Sequence, residues 1–308
     1  MHRTQPHRLS TLLYTTAAAL ALVATGVGPA TAAAPSATSV AVSASHATNT
    51  HGTAGKHPSR PQWVDYVNLG DSYSAGFGSG NITGGPFPGC LQGDGPTHVT
   101  QLDAQPGVRL IANAACAGAT PADVALAAAQ LAPQLAAADL VTLTLGGNDL
   151  DLGGIVGACS TQGTDQACTL AVAAARQALP GITTSVRSTL RQIDRSTRGR
   201  ILVLGYPRLF SPQFGDNAVI TAANARQLNR LADQLNRAVR AGTRGNHASF
   251  VQVSSAFTWH GIGSPAPWIH LNAANPADPL NLHPTTAGYL QGYYPAVLRH
   301  AHLHRLAR

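Results

Sequence analysis

"YVNLGDSYSAG", Tyr66 to Gly76, is an apolar run that stops abruptly at Gly70-Asp71-Ser72. Val64, Tyr66, Val67 and Leu69 read as a buried strand of the common length, about five or six residues. Ser72 then stands on the first turn beyond the strand's carboxyl end. In open α/β sheets ligands bind at that edge, because strands deliver side chains there and helix amino ends point N–H groups at it. A lone serine after Gly-Asp is more often a helix cap than a nucleophile, so its partners elsewhere in the chain decide the matter.

Four further apolar runs follow: Val108 to Ala114, Leu140 to Gly146, Arg200 to Tyr206 and Ser249 to Ser254. Helical patterns separate them, after Thr120, from Thr169 to Arg198, from Thr221 and from Thr285. Strands alternating with helices predict an α/β fold with a central parallel sheet of about five strands and helices on both faces. Leu228, Leu231, Leu235 and Val239 fall at helical spacing and read as a core stripe. Two long Gly- and Pro-rich stretches, Gly76 to Pro96 and His260 to Pro284, read as loops that rim one common pocket.

The 308-residue chain is long enough for one large domain. Its start carries Arg3 and Arg8, an apolar stretch from Leu12 to Val27, and small residues at Ala30 and Ala32. That order predicts a secretory signal peptide over 1–32, with cleavage after Ala32 and export from the cell. Residues 33–61 are Ala, Ser, Thr, Gly and His with almost no large apolar side chain, the composition of a disordered spacer. The folded domain is expected over 62–301 and a basic tail over 302–308, whose histidines read as a solvated end.

Four cysteines in an exported chain fit two disulfides. Three pairings are possible, of which Cys90 with Cys116 and Cys159 with Cys168 closes the shortest loops. The second would staple "CSTQGTDQAC", which carries no other evident source of order. Zinc is disfavoured because no C-x-x-C knuckle is present, and no metal or other cofactor is expected. The net charge is +7, almost all of it from scattered arginines. Such scatter excludes a dedicated nucleic-acid site and is compatible with weak, transient contact with anionic or membrane surfaces.

A serine nucleophile needs a base, something to orient that base, and donors for the oxyanion. His283, in "NLHPTTAGY", follows a long loop and precedes the last helix, so its ring can swing over the carboxyl edge of the sheet. Two turns after strands offer donors: the backbone N–H of Gly118 in "NAACAGAT" and the side-chain amide of Asn148 in "LTLGGNDL". With the Ser72 N–H these make three. Asp71 and Asp149 read as carboxylates that tie down their own turns.

The ordered set Gly70-Asp71-Ser72-Tyr73-Ser74, Gly118, Gly147-Asn148-Asp149 and His283-Pro284 resembles the SGNH, or GDSL, hydrolase superfamily, in its secreted actinobacterial lipase and esterase branch. Val203 to Phe210, "VLGYPRLF", is similar to the segment these enzymes carry after their fourth strand. The resemblance implies a flavodoxin-like three-layer α/β/α fold, Ser72 as nucleophile, Ser72, Gly118 and Asn148 as oxyanion hole, and His283 as base. The α/β-hydrolase elbow G-x-S-x-G does not fit, since position 74 is serine. The superfamily usually places Asp three residues before the histidine, where this chain has Leu280. Either the Leu280 backbone carbonyl or Asp278 is then left to orient the ring, giving a Ser-His dyad or a triad. The carbonyl is the preferred choice, since fixing the tautomer is the essential role.

The expected reaction is hydrolysis of a small-molecule or lipid carboxylic ester through an acyl-serine, by a monomer. Activity should fall as pH drops through the histidine pKa, about 6.5 when unperturbed. Phe77, Phe87, Trp259 and Trp268 are the loop aromatics that could line an acyl groove or stack on sugar rings. The rival readings are an acetyl esterase on polysaccharide and a secreted lipid- or glycan-binding protein with a retired site.

Overall fold

The computed structural model describes residues 63–306, so the predicted leader and spacer lie outside the described residues. In chain order the elements are β1 (Val64–Gly70), a hairpin of β2 (Ile82–Gly84) and β3 (Leu91–Gly93), α1 (His98–Asp103), β4 (Val108–Asn113), α2 (Pro121–Gln130), α3 (Ala132–Ala137) and β5 (Leu140–Thr144). There follow α4 (Leu152–Cys159), α5 (Asp165–Ser196), β6 (Arg200–Leu204), α6 (Ala222–Gly242), β7 (Ala248–Val251), a π-helical stretch Gly288–Tyr293, α7 (Tyr294–Ala301) and α8 (Leu303–Leu306).

Five strands form one sheet in the order β4-β1-β5-β6-β7, every neighbouring pair parallel. The chain steps outward from β1 to β4, then returns past β1 to β5. This reversal opens a crevice beyond the carboxyl ends of β1 and β5, the position where doubly wound sheets hold ligands. β1 and β5 are central and buried on both faces, which is why their sequences are nearly continuous apolar runs. Helices α2, α3, α5 and α6 pack on one face, while α1, the π-helical stretch and α7 cover the other.

Helix ends are set by local chemistry. Thr120, Thr164 and Thr221 cap α2, α5 and α6 by accepting backbone N–H groups, and Pro121 opens α2 where its missing N–H costs nothing. The single helix expected after Thr120 is two, broken at Leu131 ahead of Pro133. The helix expected from Thr169 starts at Asp165, inside the loop closed by Cys159–Cys168. That loop therefore has sources of order besides the disulfide: the Thr164 cap, a Ser160–Ile220 bridge, and the Thr161 N–H donating to the Val219 carbonyl. The other disulfide joins Cys90, just before β3, to Cys116 beyond β4. Of the 302–308 stretch, Leu303 and Leu306 pack against the core.

Candidate active site

The turn after β1 is built around buried groups. Gly70 has φ +119°, and a Cβ there would collide with the Thr144 carbonyl, so only glycine lets β1 turn this close to β5. Asp71 is 1 % exposed. Its carboxylate accepts the Tyr73 N–H (3.0 Å), the Thr144 hydroxyl (2.6 Å) and the Tyr206 hydroxyl (2.5 Å). Burial pushes its pKa above the usual carboxylate range, and these three donors work against that rise. Ser74 Oγ accepts the Thr144 N–H at 2.9 Å. Ser72 is held between these anchors.

The turn after β5 is tied to the same hub. The Gly147 N–H donates to the Tyr206 hydroxyl at 2.9 Å, so one phenol bridges that turn and Asp71. Asn148 donates one of its amide hydrogens to the Ala119 carbonyl (2.9 Å), beside Gly118, and keeps the second free for another acceptor. The Gly118 turn is anchored to β1 by the Cys116 N–H, which donates to the Gly70 carbonyl at 2.9 Å. Neither the Ser72 nor the Gly118 N–H has an acceptor among the described residues.

His283 arrives from the loop after β7, and its Nε2 lies 2.8 Å from Ser72 Oγ. Burial pushes the ring down to about 4; the facing carbonyls of Leu280, Asn281 and Pro279 oppose that shift, and His270 adds to it. The imidazole is therefore neutral at neutral pH, the form able to accept a serine proton. Its Nδ1 has no hydrogen-bond partner. The two expected orienters meet the ring differently. The Leu280 carbonyl accepts the His283 backbone N–H (3.2 Å) and is also the foremost of the carbonyls that face the ring. Asp278, on the surface, accepts the Leu280 N–H and the Asn272 amide, each at 2.9 Å, and so pins the loop. Carbonyls face Nδ1 and favour a proton on the ring, but none reaches hydrogen-bonding geometry.

Ser72, Asn148 and His283 line a cavity of about 300 Å³ together with Leu150, Leu209, Leu228, Leu231 and Leu235. The α6 stripe thus faces both the core and the cavity, a double role that periodicity alone does not reveal. Gly118 lines a separate hollow of about 360 Å³, with Phe87, Leu126 and Gln130. The two long loops accordingly serve two hollows, not the one expected: Pro276 to His283 border the first, and Phe87 to Cys90 the second. None of the four loop aromatics lines the serine cavity. Phe77 is buried against the His283 ring, Trp268 stacks on His260, Trp259 meets Phe214 at the surface, and Phe87 is at the other hollow. Tyr73, Thr144 and Tyr206 lie in stretches read from the sequence but have no role assigned there, since nothing local marks a tyrosine or threonine as part of a site.

A profile of the GDSL-like Lipase/Acylhydrolase family matches residues 69–290, a span that holds Ser72, Gly118, Asn148 and His283. A lipase of Streptomyces rimosus is 32 % identical over 243 residues, covering 77 % of this chain and 87 % of that protein. The crystal structure of an extracellular lipase from Streptomyces rimosus superposes with a TM-score of 0.67 at 31 % identity, over 77 % of this chain and 99 % of the other. A phospholipase A1 from Streptomyces albidoflavus gives the same TM-score at 26 % identity and the same coverage. The chain belongs to the GDSL-like lipase/acylhydrolase family and is a carboxylester hydrolase.

Proposed function

We propose that the protein hydrolyses acyl esters by transferring the acyl group to Ser72, with His283 as the general base. The observation that carries this reading is the 2.8 Å contact between His283 Nε2 and Ser72 Oγ in a leucine-walled cavity. Ser72 Oγ attacks the carbonyl carbon as its proton passes to Nε2. The oxyanion takes hydrogen bonds from the Ser72 N–H, the Gly118 N–H and the free hydrogen of the Asn148 amide. His283 returns the proton to the departing alcohol, and a water activated by the same ring releases the acid.

The leucine walls favour an aliphatic acyl chain over an acetyl group on a sugar, because they offer a sugar's hydroxyls no hydrogen-bond partners. The names of the relatives, lipase and phospholipase A1, agree with a lipid ester. We read the protein as exported by its first 32 residues and acting as a single chain in transient contact with lipid surfaces. Two disulfides fit an oxidising compartment, and Trp259 and Phe214 are exposed large apolar residues of the kind that meet lipid.

The test is a p-nitrophenyl ester series from acetate to palmitate, given to the wild type and to Ser72→Ala. The expected result is an optimum well beyond acetate and a loss of kcat by a factor of about 10³ or more in the variant. Activity confined to acetate would replace the lipid reading with a deacetylase. A variant as active as the wild type would remove Ser72 from the chemistry.

A further inference from the structure

The sequence lacks a carboxylate three residues before His283, and the structure leaves Nδ1 of that ring without a partner. The carbonyls of Leu280, Asn281 and Pro279 face the ring without closing a well-formed hydrogen bond, so the backbone that carries His283 has a large part in holding it 2.8 Å from Ser72. The candidates are the groups that grip its backbone and its faces. Leu282, immediately before His283, has φ +67°, a left-handed conformation that a leucine adopts only when its surroundings impose it. Its carbonyl accepts the Tyr73 hydroxyl at 2.5 Å, across 209 residues. Tyr73 is the residue after Ser72 and is 6 % exposed. Its ring lies 5.5 Å from that of His283 and meets Tyr206 edge-on at 5.3 Å. On the other side His270 pairs with this segment through two backbone hydrogen bonds, its N–H to the His283 carbonyl and its carbonyl to the Leu282 N–H.

We propose that Tyr73 is the positioning residue of the catalytic base: its hydroxyl clamps the Leu282 carbonyl and so fixes His283 over the serine of the same turn. The nucleophile turn thereby carries its own gauge for the base. This rests on the Ser72–His283 reading above. A carboxylate on Nδ1 would hold the ring and also stabilise its charge; the tyrosine supplies the first and leaves the second to the facing carbonyls. The other titratable groups around the ring are His270, and Asp278 at the end of the same loop.

Tyr73→Phe removes only the hydroxyl and keeps the ring against Tyr206 and Tyr293. On a medium-chain p-nitrophenyl ester we expect kcat to fall at least tenfold while KM stays within twofold. The acid limb of kcat/KM should move upward as the loop loosens and water reaches the imidazole. In a His283→Ala background the same change should cost nothing further, since the clamp acts only through the base. A kcat within twofold of wild type, or an equal loss with and without His283, overturns the proposal.

Leu282→Val is the second variant, at a half-buried loop position, with its folding checked by circular dichroism and its KM read beside kcat because Leu282 also borders the cavity. A β-branched side chain disfavours the left-handed backbone that presents the carbonyl. It should lower kcat in the same way and add little to Tyr73→Phe. If Tyr73→Phe does not fold, Leu282→Val alone decides, and an unchanged kcat rejects the clamp. Full activity in His283→Ala alone would be a failure of the Ser-His reading itself, which separates the two.

Discussion

At the scale of single residues, the site depends on one buried carboxylate and one part-buried neutral ring. Asp71 accepts from both turns that flank the crevice, so its role is to hold the donors in register. Asn148→Ala should lower kcat by about 10²–10³-fold with little change in KM, because the lost hydrogen bond belongs to the oxyanion and not to the bound ester. Steady-state kinetics on one ester checks this, and an equal rise in KM would contradict it. The second prediction concerns pH. Burial holds His283 at about 4, so its neutral form persists well below the ordinary 6.5 of a solvated imidazole. The acid limb of kcat/KM should fall near pH 4, whereas the sequence alone suggested the solvated value. The correction comes from burial, which no local pattern of residues around His283 announces.

At the scale of elements, the leucine stripe of α6 is the feature whose second face matters. Leu228, Leu231 and Leu235 are all under 10 % exposed, yet each borders the cavity beside Ser72. Leu231→Phe should fill part of that cavity and move the chain-length optimum toward shorter acyl groups, at an overpacking cost of about 1–3 kcal/mol. An unchanged optimum across the ester series would place the acyl chain elsewhere. The sheet was legible in the sequence because each of its five strands is an apolar run followed by a turn. Ser72, Gly118, Asn148 and His283 drew notice through the ordered motifs of the family resemblance; of these the structure brings Ser72, Asn148 and His283 to one cavity, and Gly118 to the hollow beside it. The hairpin β2–β3 was not legible, since its three-residue strands hold exposed or half-buried side chains without alternation. α1 also escaped, being six residues long between a Gly-rich loop and β4. The orienting group of His283 escaped because Tyr73 reaches it across 209 residues through a backbone carbonyl.

At the scale of the whole molecule, two histidines, His98 fully buried and His283 part-buried, make the fold sensitive to acid. His98 is fully buried, stacked near Tyr289 and Tyr293, with neither ring nitrogen hydrogen-bonded, and burial pushes its pKa down to about 3. Unfolded, both His98 and His283 take up a proton near pH 6.5; folded, they resist until about 3 and about 4. The unfolded state therefore binds more protons in that window, and stability falls as pH drops through it, by about 1.4 kcal/mol per pH unit for each group. His98→Phe keeps an aromatic ring between the tyrosines and removes one titration. Urea midpoints at pH 7 and pH 4.5 should then lie closer together than in the wild type; an unaltered gap would show that His98 is not the sensor.

Ser72 and His283 meet across 211 residues, one just past the first strand and the other close to the last helix. No fragment that begins at β1 and stops before position 283 can bring the pair together. A chain still on the ribosome carries its serine early but holds no partner for it until position 283 has been made. On the proposed Ser72–His283 reading, a molecule cut anywhere between the two, with its C-terminal piece lost, should be inert. The order of residues along the chain thus sets when the pair can first meet.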